Sequence, residues 1–278
     1  MKKYLHQNVD PDNFDLVSVI DELPLWSAPF GLKLLEMIQL KQDMCVLDIG
    51  CGLGFPLIEI AQRLGDSSRV YGIDPWEQAL ERIRLKCQVY HIQNVETIQG
   101  FGEKLPFEDD TFDLIVSNNG ITNVQDLPLT LQECGRVSKP NAQLALTYNL
   151  EETMIEFYSV LRQVLHDHQL SESISKMEAH IYEKRKPLDE MQSMIQEAGF
   201  LIKHISSESF QLRYLDGTAM LNHYFIKFWF LENWKKIVPE ENLEIVFEEV
   251  ETRLNALAQQ QDGLQLSIPF VTMDCRSR

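Results

Sequence analysis

Apolar and polar positions along the chain follow two alternating periods. Residues 45–49 and 70–73 are short apolar runs bounded by turn residues, the signature of strands. Residues 55–64 repeat apolar side chains at helical spacing and stop at Gly65, which predicts a helix with a glycine stop. Residues 30–40 are amphipathic, and residues 15–20 have room for a turn or more of helix. Between them lies Leu23-Pro24-Leu25-Trp26-Ser27-Ala28-Pro29-Phe30, aromatic and punctuated by proline. Beyond Tyr148, residues 151–170 place Met154, Phe157, Val160, Leu161, Val164 and Leu165 on one helical face. The pattern over residues 171–181 does not decide between helix and coil. Residues 187–198 predict an amphipathic helix stopped by Gly199 and leading into a strand over 200–206. Helices over 213–234 and 240–259 and a last strand over 264–272 complete the reading. Helices alternating with strands predict an α/β fold with a doubly wound, mostly parallel sheet.

The chemistry concentrates where the first strand ends. Val46-Leu47-Asp48-Ile49-Gly50-Cys51-Gly52-Leu53-Gly54 is a strand followed by a loop with glycine at every second position. Strand, glycine loop and helix form the crevice in which open parallel sheets bind nucleotides, and glycine lets the backbone bend and approach a ligand closely. A dinucleotide fingerprint reads G-x-G-x-x-G. Here the spacing is G-x-G-x-G, and Asp48 precedes the first glycine by two residues. An anion there repels a pyrophosphate and suits a cationic ligand. S-adenosylmethionine carries an ammonium and a sulfonium and no phosphate. The second strand ends in Asp74, twenty residues beyond Gly54, where a carboxylate can accept both hydroxyls of a ribose. The plainer reading of Asp74 is a helix N-cap before Pro75-Trp76-Glu77.

The D-x-G-x-G loop resembles that of the S-adenosylmethionine-dependent methyltransferases with a Rossmann-like fold. Three further segments resemble the same family in order. Gly100-Phe101-Gly102-Glu103-Lys104-Leu105-Pro106-Phe107 is similar to its G-D-A-E-x-L-P-F stretch, with Phe101 where the family has Asp. Residues 110–117 resemble the fourth strand, with Asn118-Asn119-Gly120 at its end. Arg136-Val137-Ser138-Lys139-Pro140-Asn141-Ala142 resembles the R-V-L-K-P-G-G turn into a fifth strand over 143–148. Asn141 replaces a glycine there, and Asn tolerates positive φ best after Gly. The resemblance covers roughly residues 25–150. It implies a seven-stranded sheet and S-adenosylmethionine as cofactor, with S-adenosylhomocysteine as its product. It also implies cofactor contacts at Trp26, Asp48, Gly50, Gly52, Gly54, Asp74, Pro75, Trp76, Phe101, Gly102, Glu103, Asn118 and Asn119. Residues 1–43 then read as a helical lead-in and 44–150 as the donor-binding core. Residues 151–278 read as the rest of the sheet plus a substrate cap, in one integrated domain. The family's minimal fold has a hairpin between its last two strands; here about 55 residues intervene.

The residues after the fourth strand bear on the acceptor. The family's nucleobase-amine enzymes carry N-P-P-Y or D-P-P-Y, which Ser117-Asn118-Asn119-Gly120 does not match. Gly120-Ile121-Thr122-Asn123-Val124-Gln125-Asp126 instead resembles the G-L-R-N-V-x-D stretch of the ubiquinone and menaquinone C-methyltransferases, with Thr122 in place of the arginine. That resemblance turns Asn123 toward the acceptor; otherwise Asn123 is a loop-bonding residue. In the added region, His180, Arg185, Arg213, Asp216 and His223 are acceptor-site candidates. His180 and His223 are candidate bases, because imidazole titrates near neutrality; the alternative for each is a surface or structural role.

Composition narrows the partners. A net charge of −17 over 278 residues argues against nucleic acid, which needs clustered Lys and Arg, and against anionic membrane surfaces. Five cysteines are scattered without a C-x-x-C pair, so neither a disulfide frame nor a metal site is expected. No targeting stretch or membrane-length apolar segment is visible, and a cytoplasmic location is expected. A homodimer is left open. The expected function is methyl transfer to a small molecule. The alternatives are a protein methyltransferase recruiting a basic partner through the acidic surface, and a catalytically silent donor-binding subunit.

Overall fold

The computed structural model describes Asp10, residues 12–14, Val17 and residues 25–278; the helix expected over 15–20 lies outside the described residues except for Val17. In chain order the elements are α1 (Ser27–Met37), β1 (Cys45–Ile49), α2 (Leu57–Leu64), β2 (Arg69–Asp74), α3 (Glu77–Tyr90), β3 (Val95–Gln99), β4 (Phe112–Asn118), α4 (Leu127–Val137), β5 (Ser138–Asn149), α5 (Ile155–Asp167), α6 (Ser171–Lys184), α7 (Leu188–Glu197), β6 (Phe200–Tyr214), α8 (Gly217–Asn222), α9 (Leu243–Gln261) and β7 (Leu264–Ser277). The chain divides into two compact units. Of the described residues, a sheet unit takes 12–14, 17, 25–150, 186–208 and 270–278, and a helical unit takes Asp10, 151–185 and 209–269.

The seven strands lie in the order β3-β2-β1-β4-β5-β7-β6. The pairs β1–β2, β2–β3, β1–β4 and β4–β5 are parallel, and β7 runs antiparallel to β5. Period-two alternation explains why the central strands are apolar on both faces. Leu47 and Ile49 of β1 join a core with Leu131 of α4 and Met191 and Ile195 of α7. Val46 joins the opposite core with Leu34 of α1, Leu57 and Ile60 of α2 and Leu80 of α3. Asp48 shares the parity of Val46 and sits level with Gly72 and Val116 on the flanking strands.

Gly65 ends α2 at φ 70°. β5 begins at Ser138, before the expected 143, and Asn141 stands within it at φ 64°, where the register with β4 shifts, the left-handed geometry expected of that Asn. In the helical unit α5 buries Phe157, Tyr158, Val160, Leu161, Val164 and Leu165. Residues 171–181, which the sequence pattern left undecided, are helical within α6.

The region after β6 departs from the sequence reading. β6 continues to Tyr214 instead of ending at 206, because Phe210, Leu212 and Tyr214 keep a period of two, partly buried between exposed neighbours. Arg213 is therefore an exposed strand residue. The helix expected over 213–234 starts only at Gly217, where the Asp216 carboxylate accepts the Ala219 N–H at 2.7 Å. It breaks at His223, which is extended, and resumes as Tyr224–Ile226, a π turn over Lys227–Leu231 and Glu232–Lys235.

Candidate active site

Strand order reverses between β1 and β4, and such a switch point is where open α/β sheets take ligands, outside the carboxyl ends of the strands. The chain leaves β1 through Gly50, Gly52 and Gly54, all at positive φ (71°, 49° and 95°). Gly50 N–H donates to the Ile73 carbonyl at 2.9 Å, tying the loop to the end of β2. A Cβ on Gly50 would come within 3.0 Å of the Gly120 Cα in the loop after β4, so these loops meet backbone to backbone. A Cβ on Gly52 would meet nothing within 4 Å; there the loop faces open space. Lys86 of α3 donates to the Leu53 carbonyl at 2.7 Å and pins the loop. A lone lysine on an amphipathic helix gives no sequence signal of that role.

Two carboxylates flank the loop. Asp48 is fully buried, and neither oxygen has a hydrogen-bond partner. Burial first, then the neighbouring Asp74 charge, raises its pKa well above the usual carboxylate value. The Leu57 amide offsets this in part without making a hydrogen bond of normal geometry. Asp74 accepts Gly52 N–H on Oδ2 and Trp76 N–H on Oδ1, both at 2.9 Å. Burial raises its pKa, and these two amides oppose the rise. Asp74 is not the cap of α3, which begins at Glu77 with Trp76 at the N-cap position; Pro75 lies outside the helix, one residue after Asp74. Each Asp74 oxygen keeps a lone pair for a further donor.

The remaining expected donor contacts all fall in the sheet unit. Trp26 precedes α1 and meets the Phe30 ring edge-on at 5.3 Å. Phe101 is exposed, whereas Gly102 is buried so closely that a Cβ would come within 2.7 Å of Thr130. Glu103 turns toward the protein: its Oε1 accepts the Gln125 and Asp126 N–H groups at 2.6 and 2.9 Å, bracing the segment after β4. Asn118 donates to the Ser27 carbonyl and accepts from the Thr147 hydroxyl, each at 3.0 Å. Asn119 stands at φ 57°. Asn123 donates to the Asn119 carbonyl at 3.2 Å, the loop bond that was the plainer expectation for it.

The acceptor candidates lie in the helical unit, apart from Asn123. The His180 pKa is pushed down to about 4, by burial first and then by Arg185 and Lys184. That of His223 is also lowered, by burial and Lys227. Both rings are therefore neutral at pH 7, and a base with a pKa near 4 is poorly matched to proton abstraction there. Asp216 is occupied as the α8 cap, and Arg213 lies exposed on β6. Arg185 is 3% exposed. Two hollows, of about 450 Å³ beside Arg162 and Arg253 and about 220 Å³ beside Lys139 and Arg276, contain none of these candidates. All five thiols are free; burial pushes Cys134 and Cys275 up to about 12 and Cys51 well above its usual value. Among the described residues no group of His, Cys, Asp or Glu is placed to hold a metal, and no helix is long and apolar enough to cross a membrane.

The donor set fits a ligand that brings a cationic end to Asp48 and a ribose to Asp74. It fits a phosphate chain poorly, since that would meet two carboxylates. Comparison with known proteins agrees. A family model described as a methyltransferase domain matches residues 40–240. A 2-phytyl-1,4-naphtoquinone methyltransferase of Trichormus variabilis is 38% identical over 141 residues, 48% of this chain. A demethylmenaquinone methyltransferase of Bacillus mycoides is 30% identical over 146 residues, 52% of this chain. The chain spans 61% of the length of each of these two relatives. Among solved structures, the YcgJ protein of Bacillus subtilis superposes with a TM-score of 0.60 at 17% identity, covering 90% of this chain and 98% of that one.

Proposed function

Because the chain belongs to the S-adenosylmethionine-dependent methyltransferases of Rossmann-like fold, we propose that it transfers a methyl group from that donor to a small-molecule acceptor by in-line displacement. The observation that carries this reading is the buried, unpartnered Asp48 carboxylate beneath a glycine loop at the sheet's switch point. Asp48 would attract the donor's ammonium, and Asp74 would accept its ribose hydroxyls with the lone pairs that Gly52 and Trp76 leave free. The Gly50–Gly54 backbone would lie against its amino-acid tail. Trp26, Trp76, Phe101, Gly102, Asn118 and Asn119 would surround the rest, while Glu103 braces the loop after β4 from the protein side.

The donor supplies a methyl carbon already activated by the sulfonium, so no acid is needed for the leaving group. The protein's part is alignment and exclusion of water, and placement alone can contribute on the order of 7–11 kcal/mol. Two relatives are named for quinone methylation, which supports a ring-bearing small acceptor. The net charge of −17 favours neither nucleic acid nor an anionic membrane as partner.

The test is release of S-adenosylhomocysteine on mixing donor with naphthoquinols, hydroxylated aromatic acids and, separately, basic proteins. Turnover with a small molecule is expected. Turnover with basic proteins alone would replace this reading by a protein methyltransferase, and tight donor binding without turnover on any acceptor would favour a silent subunit.

A further inference from the structure

Arg185 follows α6 and is one of the most deeply buried charged residues described, at 3% exposure. Its guanidinium makes no hydrogen bond or ion pair with any described residue, and Nε and Nη1 are enclosed without partners. Its favourable contact is with the Tyr158 ring, whose centroid lies 5.2 Å from Cζ. That ring is fixed in place. The Tyr158 hydroxyl accepts Trp234 Nε1–H at 3.0 Å, and Trp234 stacks on Phe157 at 3.8 Å. Buried cations ordinarily have a carboxylate partner, because apolar packing does not replace lost hydration, and a cation–π contact returns only a fraction of it. His180 feels positive potential from Arg185, Lys184 and Lys236, opposed by Glu183. In a chain of net charge −17, no carboxylate among the described residues pairs with this cation.

We propose that Arg185, with His180 and the Tyr158 ring, forms a site in the helical unit for the carboxylate of a small aromatic acid. The planar guanidinium offers paired N–H donors that match the two oxygens of a carboxylate. A phosphate brings further oxygens and a second charge, for which aromatic neighbours offer no donors. Neutral His180 can supply one more hydrogen bond without adding charge. The anion site stands on the helical unit alone.

The test uses the whole protein, with calorimetry and thermal melting in benzoate, benzamide and inorganic phosphate at constant ionic strength. Benzoate should bind one per chain and raise the melting temperature, with benzamide and phosphate at least tenfold weaker. Arg185→Met should lose at least tenfold in benzoate affinity while melting no lower than wild type without ligand, because it removes an unpaired buried charge. Arg185→Lys should retain part of the affinity. A purely structural arginine would give the reverse, a lower melting temperature in Arg185→Met and no benzoate response in wild type. The site is overturned by absent benzoate binding in wild type, by benzamide or phosphate binding as well as benzoate, or by an undiminished response in Arg185→Met. S-adenosylhomocysteine titrated into the same samples separates the two claims. Donor binding without benzoate binding removes only the anion site, whereas benzoate binding without donor binding removes the methyltransferase reading.

Discussion

Asp48→Asn is the substitution that distinguishes a ligand-binding carboxylate from a structural one. Wild-type Asp48 has no solvent exposure and no hydrogen bond, so its ionisation is opposed by lost hydration and by Asp74. The folded pKa lies above the unfolded one. The group's contribution to stability is therefore fully present below the unfolded value near 3.8 and is lost as pH rises toward the folded value. A tenfold difference in proton affinity between folded and unfolded chain is worth about 1.4 kcal/mol. Asn is nearly isosteric and does not ionise. Ligand-free Asp48→Asn should therefore melt at or above wild type at pH 8, and the difference should shrink toward pH 4.

Donor binding should move the other way. A carboxylate and a cation 4–6 Å apart attract by about 3–4 kcal/mol at an effective dielectric constant of ~20. Desolvation and the residual dipole of Asn bring the expected loss to roughly 1–3 kcal/mol, about 5- to 150-fold in Kd. A cation also favours the ionised form of Asp48, opposing the upward shift that burial and Asp74 impose. Donor affinity of wild type should therefore fall as pH is lowered and Asp48 takes up its proton, and that of Asp48→Asn should depend less on pH. Unchanged S-adenosylhomocysteine affinity in the variant, or a collapse of its ligand-free stability, would refute this assignment.

Asp74→Ala removes two acceptors at once, those of Gly52 and Trp76. It should weaken donor binding by roughly 1–3 kcal/mol and also lower the melting temperature, whereas Asp74→Asn, which keeps one acceptor oxygen, should lose less stability; equal melting of Asp74→Ala and wild type would remove the loop-holding role. Gly50→Ala forces a Cβ to 3.0 Å from the Gly120 Cα at φ 71°, so donor binding should fall at least tenfold, read by calorimetry. In native protein at pH 8, iodoacetamide should modify Cys45 and Cys87, which are half-buried, and leave Cys51, Cys134 and Cys275 unmodified by mass spectrometry.

The glycine loop and its two acids were legible in the sequence because their constraints are local. Glycines at alternate positions, an acid two residues before them and an acid ending the next strand are positions in a string, and each maps onto the switch point. Other features depend on long-range packing. The β6 extension to Tyr214 was masked because residues 207–214 mix a period of two with hydroxyl and charged residues that read as a break. Glu103 fits a donor-binding motif, yet its carboxylate finds backbone amides 22 and 23 residues away. Asp74 followed by Pro75 reads as a helix cap, yet the Gly52 amide claims one oxygen and α3 starts later. In the sequence Arg185 is one of several polar candidates, since a sequence shows the presence of a cation but not the absence of a partner.

The most direct test of the central claim is a crystal structure with S-adenosylhomocysteine bound. The account predicts its amino-acid tail over Gly50–Gly54 with the ammonium toward Asp48, and its ribose hydroxyls on Asp74. A donor seated elsewhere, or a phosphorylated dinucleotide occupying that loop in its place, would contradict it.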